Sequence, residues 1–297
     1  MTRLAHISDV HVLDLAGVPW TRFLNKRLTG VANLMGARRG AHPTERFQAL
    51  VADLHESLRA GDIDHVACTG DVTNLALESE FLRVRELLEP IADPCTLSAI
   101  PGNHDVYTAG SHRTNRFEQF FGDLLWDGEM PTPGQRYPWA KRVGDVQLFG
   151  LCSAVPTAPL LATGVVDGGQ LTRLERRLAA LAAPRPFTVV MVHHNLHERS
   201  WRKNLLHGLK NRAEVLDRCE RAGVDLLLHG HTHVANRFQH GRMHVVGCGS
   251  STWSSEHPEH AARYNVYEIE GRHLRATEVR IWDRETGRFQ PQVHASA

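Results

Sequence analysis

The chain has 297 residues, with 34 Lys and Arg against 33 Asp and Glu, a formal net charge of +1. Hydrophobic residues make up 42% and charged residues 23%, which excludes a disordered or fibrous chain and any global pull toward nucleic acid or membrane. Twenty histidines are out of line for a chain of this length, while five cysteines, odd in number and without a CxxC pair, fit a reduced, cytoplasmic protein.

Residues 4–8 read as a short apolar strand; the three residues before them hold no apolar stretch, which predicts no secretory leader. Between Trp20 and Gly40 lie Arg22, Lys26, Arg27, Arg38 and Arg39, and no acidic residue. Leu24, Leu28, Val31 and Met35 fall there at helical spacing, so a helix would be amphipathic with a basic rim, although Gly30 and Gly36 weaken it. Pro43 opens a helix marked by Phe47, Leu50, Val51, Leu54 and Leu58. Residues 65–69 read as a strand, 78–90 as a helix, 95–100 as a strand and 113–125 as a helix. A strand over 146–151 precedes a helix carrying Leu171, Leu174, Leu178 and Leu181, ended by Pro184. Residues 187–192 form the next strand, 211–222 a helix stopped by Gly223, and 224–228 a strand. The remainder, with 243–248, 264–269 and 274–281, reads as β-structure. Strands alternating with helices predict an α/β fold, and nothing along the chain reads as a linker or repeat. No apolar run approaches the roughly 18 residues of a membrane span.

Five polar clusters fall where strands end: Asp9-Val10-His11, Gly70-Asp71, Gly102-Asn103-His104-Asp105, His193-His194 and Gly230-His231-Thr232-His233. Loops at the carboxyl ends of strands are where α/β proteins build sites. Asp, Asn and His supply oxygen and imidazole ligands with no thiolate, which suits Mn, Fe, Zn, Co or Ni better than a structural zinc knot. The spacing in DxH and HxH lets two side chains on an extended backbone point the same way.

Taken in this order over residues 3–250, the five segments resemble the calcineurin-like metallophosphoesterases. The resemblance implies a single domain over 1–297, built as a four-layer α/β/β/α sandwich. It carries a basic apolar cap insertion at about 15–42 and a β-rich C-terminal part at about 234–285. It implies two metal ions, Mn, Fe or Zn: Asp9, His11 and His233 hold one, Asn103, His193 and His231 the other, and Asp71 bridges them. His104 takes the place of the catalytic histidine, with Asp105 set to orient it, and a hydroxide held by the ions is the nucleophile. Many relatives carry a proline soon after the first histidine of the fourth motif, where this chain has Asn195, so His194 stays open as an alternative to His193.

The expected activity is hydrolysis of a phosphate ester, a phosphodiester of small-molecule or nucleotide type. The stretch 164–174 is similar to enzymes that open cyclic nucleotides or cleave glycerophosphodiesters. An alternative is a lipid-linked pyrophosphate hydrolase similar to UDP-2,3-diacylglucosamine hydrolase; a metal-free scaffold on the same fold is a further one, against which every ligand position is filled. The expected partners are therefore a small phosphate ester or a lipid-linked nucleotide, with no nucleic acid. The cap, and a second basic stretch from Arg199 to Arg212, leave strand ends that bear ligands, so both are expected to border the site. The cap either packs its apolar face on the protein and solvates its charges, or meets an acylated substrate or the inner membrane surface. His42, His55, His257, His260, His273 and His294 read as solvated, and His6 and His229 as packing or support beside the ligand loops.

Overall fold

The computed structural model describes residues 1–35, 40–126, 129–255 and 257–292, the side chains of 33–35 and 258 excepted. Arg38, Arg39 and His294 lie outside the described residues, as does the side chain of Met35.

Two six-stranded sheets carry the chain. In the first, β1 (Thr2–Ile7), β2 (His65–Cys68) and β3 (Leu97–Ala99) run parallel, and β10 (Arg263–Glu270), β11 (His273–Asp283) and β12 (Arg288–Gln292) extend it antiparallel in the order β12-β11-β10-β1-β2-β3. The second holds β4 (Trp139–Val143), β5 (Val146–Gly150), β6 (Phe187–Met191), β7 (Leu226–His229), β8 (Asn236–His240) and β9 (Met243–Gly247) in the order β4-β5-β6-β7-β9-β8. Its centre is parallel and its two edges, β4 and β8, are antiparallel.

Strand alternation sets the layers. Leu148, Val189, Met191, Leu226 and Leu228 join the core that holds Leu4 of the first sheet, while Ile7, Cys68 and Ala99 on the opposite face of that sheet pack on Phe47 and Phe121. Phe149, Val190 and Leu227, one residue out of phase, pack instead on α6 (Gly168–Ala179) and α8 (Arg212–Arg221) through Leu171, Leu174, Val215 and Leu216. On the far side of the first sheet lie α2 (Thr44–Ala60), α3 (Glu78–Leu88) and α5 (Arg116–Leu125). The order is therefore helices, sheet, sheet, helices. α2 shows why such a helix forms: Phe47, Leu50, Val51 and Leu54 recur at helical spacing and are buried, and Gly61 stops it at φ 75°.

The single helix expected over 113–125 is two, α4 (Ala109–Arg113) and α5, because Asn115 turns left-handed at φ 49°. The edge strands β4 and β12 were not anticipated, and neither was α7 (Trp201–His207), while β8 falls within the β-rich part expected at about 234–285. In the cap, a 3-10 turn over Trp20–Phe23 leads into α1 (Arg27–Met35).

Candidate metal centre and active site

The five polar clusters leave the carboxyl ends of β1, β2, β3, β6 and β7, so three come from one sheet and two from the other. Backbone bonds lace them together: Asp9 N donates to Gly70 O, His11 N to Asp71 O, and Gly230 N to His193 O. His231 N donates across the sheets to Asp9 Oδ2 at 3.0 Å. Eight non-glycine residues among those described have positive φ, and five of them are Asp9, His11, Asp71, His231 and His233. Each such conformation costs about 1–3 kcal/mol and persists where surrounding contacts over-determine it, so backbone strain is concentrated here. Gly102 has its own reason. A Cβ there would run into the backbone and carboxylate of Asp71.

Hydrogen bonds fix the tautomers of two histidines and so reveal where their lone pairs point. His193 Nδ1 donates to Thr69 O at 2.7 Å, which leaves the Nε2 lone pair facing Asn103 Oδ1 at 3.1 Å and Asp71 Oδ2 at 3.3 Å. His231 Nε2 donates to His207 O at 2.7 Å, leaving Nδ1 toward Asn103 Oδ1 at 2.8 Å and His193 Nε2 at 3.3 Å. Electron-rich atoms thus converge on one point. In the neighbouring group, His233 Nε2 lies 3.3 Å from Asp9 Oδ1, while His11 Nε2 lies 3.0 Å from His233 Nε2 and 3.7 Å from Asp71 Oδ2. Donors bound about 2.1 Å from a common ion sit about 3.0–3.4 Å apart at octahedral to tetrahedral angles, so both groups fit cations. The Asp71 carboxylate lies between them.

The electrostatics agree with that fit. Burial alone would raise the Asp71 carboxyl, yet His193, His104 and His11 hold it well below the usual carboxylate range. Burial and neighbouring histidines keep His11 and His231 far below an ordinary imidazole, hence neutral as a ligand must be. Burial pulls on His193 as well, but Asp71 and Asp9 outweigh it and raise it to about 9, as expected of a nitrogen crowded by carboxylate oxygens.

His104 N donates to Asp71 Oδ1 at 2.7 Å, and its ring Nδ1 donates to Asn74 O at 2.6 Å. The ring stands edge-on to His11, 4.7 Å away, and stacks on Tyr107 at 5.3 Å. Asp105, expected to orient His104, is occupied otherwise. Its carboxylate accepts from Gly102 N at 2.9 Å and from Thr73 N and Oγ1, both at 2.9 Å, bracing the Asp71 loop against the Asn103 loop. Burial and the nearby Asp71 charge push it up to about 7. The carbonyl of Asn74 orients the His104 ring instead. His194 is fully buried, with Nδ1 2.8 Å from Ser153 Oγ, and sits behind His231 rather than in the open site. His6 bridges Thr69 and Tyr267, and His229 contacts Asn236, so both act as packing beside the loops.

One histidine read as solvated is not, and another lines the cavity above the site. His42 lies 4.6 Å from His11 ring to ring, bonds Thr252 Oγ1 at 2.7 Å, and with Trp253 walls the side of His11 and His233. The one lining the cavity is His260.

That cavity, about 540 Å³, places Asp71, Asn103 and His104 on its floor and Lys26, Tyr107 and Arg199 among its walls. The Lys26 ammonium lies 4.7 Å over the Tyr107 ring and donates to Thr157 Oγ1 and Leu161 O; burial lowers it to about 8. Of the two expectations for the cap, the first holds only in part: Phe23 and Val31 pack against the core and Arg22 is exposed, but Arg27 is buried, donating to Leu75 O at 2.7 Å and Ala76 O at 2.9 Å, while Leu24 and Leu28 face water. Backbone carbonyls of the loops beneath accept from these cations.

The family model for calcineurin-like phosphoesterases matches residues 2–235. A probable cyclic nucleotide phosphodiesterase of Synechococcus is 26% identical over 268 residues, covering 90% of this chain and 87% of its own. Among solved structures, a purple acid phosphatase from yellow lupin (Lupinus luteus) seeds aligns with TM-score 0.60 at 12% identity, covering 98% of this chain and 52% of that one. A dimetal phosphatase from Danio rerio aligns with TM-score 0.53 at 12% identity, covering 94% and 95%. At such identities the two structures speak for the fold.

Proposed function

Since this chain belongs to the calcineurin-like phosphoesterase family and is thereby a hydrolase of phosphoric esters, we propose that it is a two-metal phosphodiesterase for a small-molecule or nucleotide substrate. In this reading Asp9, His11 and His233 hold one ion, Asn103, His193 and His231 the other, and Asp71 serves both. The observation that carries it is the convergence of the His193, His231, Asn103 and Asp71 lone pairs on one point, which a cation reconciles. Imidazole, carboxylate and amide ligands without thiolate suit manganese, iron or zinc.

When bound, such a pair of ions polarises the phosphoryl oxygens and acidifies a shared water. Two divalent ions against Asp9 and Asp71 leave a net charge of about +2, which attracts a phosphate. His104 is held by Asn74 O through Nδ1, so any proton that it passes to the leaving oxygen comes from Nε2, a step worth roughly 10²–10⁴ in rate. Lys26 adds positive charge at the wall, and Tyr107, Leu160 and Trp253 supply flat and apolar surface for a second ester substituent. That surface, together with the name of the Synechococcus relative, favours a diester over a monoester.

The test is a substrate panel with the enzyme loaded in turn with Mn, Fe and Zn: an aryl phosphomonoester, a bis-aryl diester and cyclic nucleotides. A diester or cyclic nucleotide should show the highest kcat/KM. A monoester that surpasses both would overturn the diester reading.

A further inference from the structure

Of the twelve large apolar side chains left exposed among the described residues, seven fall in three short segments: Trp20, Leu24 and Leu28, then Leu160, then Trp201, Leu205 and Leu206. These segments are tied together. Lys26 donates to Leu161 O, and Ala162 N donates to Leu206 O. Each borders the same cavity, through Lys26, through residues 160–162, and through Arg199 and His207. The 3-10 turn at Trp20–Phe23 and the helix α7 bury none of their residues. Trp20 and Trp201 are 72% and 69% exposed, whereas Trp126, Trp139, Trp253 and Trp282 are buried or half-buried. Large apolar side chains left in water forgo the stabilisation of burial, so such a cluster at a site mouth marks a contact surface.

Charge narrows what the surface meets. Residues 15–44 and 199–213 contain no Asp or Glu, and Arg22, Arg202 and Lys203 are exposed among the apolar groups. The whole chain carries a net charge of only +1, so this cationic bias is local. A second copy fits poorly, because a two-fold contact sets the same basic residues against themselves. We propose that this rim seats on an anionic lipid surface, with Trp20, Leu24, Leu28, Trp201 and Leu205 entering the interface and Arg22, Arg202 and Lys203 meeting lipid phosphates. The cavity mouth then opens toward the headgroups. Tryptophan favours this depth, apolar on its body and polar at its N–H, and each basic residue near the surface adds attraction to the anionic headgroups. No helix among the described residues is long and apolar enough to cross a membrane, so the contact is peripheral.

The inference does not depend on the reaction, because binding is read without turnover. Wild-type protein is sedimented with vesicles of phosphatidylcholine, with and without phosphatidylglycerol, while tryptophan emission is followed. It should bind the phosphatidylglycerol vesicles at low salt with a blue-shifted emission, and release as salt passes about 0.15 M, where screening shortens to about 8 Å. The triple variant Trp20→Ser, Trp201→Ser, Leu205→Ser should lose at least tenfold in binding and most of the shift, yet hydrolyse a soluble aryl diester as before. Arg202→Glu with Lys203→Glu should lose binding too, which secures the test if the triple variant misfolds. Absence of wild-type binding at low salt, equal binding by both variants, or a wild-type dimer that the triple variant abolishes would each overturn the lipid assignment.

Discussion

Asp71 and His104 share a hydrogen bond yet should fail in different ways when removed. The Asp71 carboxylate lies between two nitrogen groups, 3.3 Å from His193 Nε2 and 3.7 Å from His11 Nε2, so Asp71→Ala takes a donor from both at once. Activity should vanish and bound metal should fall. His104 contributes its ring to the cavity and its backbone N–H to Asp71, and a substitution spares that N–H. His104→Gln should therefore keep its metal while kcat drops by roughly 10² or more. Metal analysis beside turnover separates the two, and loss of metal in His104→Gln would reassign that residue. The candidate ligands were legible in the sequence because each follows an apolar strand in an ordered pattern of Asp, Asn and His. His42 was not, because it stands alone before Pro43 and reaches His11 only through the path of the chain. The role of Asp105 was misread for a related reason: adjacency in sequence suggested a bond to His104, whereas the tight turn aims the carboxylate at the backbone of Thr73 and Gly102.

The cap helix α1 is seated on a narrow seam. Gly30 faces Leu75 and Tyr107 so closely that a Cβ would come within 2.6 Å of both Leu75 Cδ2 and the Tyr107 hydroxyl. Gly30→Ala must therefore shift α1 or the Tyr107 ring, at a cost of about 1–3 kcal/mol if the seam holds. Lys26 and Tyr107 both lie along it, so KM for a small diester should rise several-fold with metal content unchanged. An unaltered KM would show that the seam yields without disturbing the cavity. The central strands and amphipathic helices were readable from their apolar runs and periodicity. The edges were less so: β4 and β12 have one buried residue each, are largely polar, and in β12 include Pro291, so each resembles a loop, and β8, with no buried residue, was expected only as part of the β-rich stretch. The cap's polarity was equally hidden, since the carbonyls of Leu75, Ala76 and Leu161 that hold Arg27 and Lys26 belong to loops far along the chain.

At the scale of the whole molecule, the candidate ligands join two sheets, since Asp9, Asp71 and Asn103 leave the first and His193, His231 and His233 leave the second. Anything bound there and released on unfolding stabilises the folded state by mass action, so chelation should lower Tm of the wild type and leave Asp71→Ala nearly unmoved. Buried groups away from the ligands contribute to the response to acid. Burial lowers His6 to about 3 and His65 to about 4, so the folded chain leaves both neutral while the unfolded chain protonates them below about 6.5. Stability from these two is full above 6.5 and is lost as pH falls toward 4. Glu80 opposes them. Burial raises its carboxyl to about 8, so the folded state binds the extra proton and gains stability as pH falls from 8 toward the unfolded value near 4.5. Burial also lowers His194 to about 3 and His229 to about 4, which act with the two imidazoles, and raises Asp105 to about 7, which acts with Glu80, so the balance stays with proton uptake on unfolding and stability falls with acid. The chelated protein should thus lose Tm between pH 6.5 and 5, and His65→Gln should flatten that slope because it removes one of those protons. A Tm that stays level or climbs over this interval would mean that the buried carboxyls, not the imidazoles, govern the acid limb.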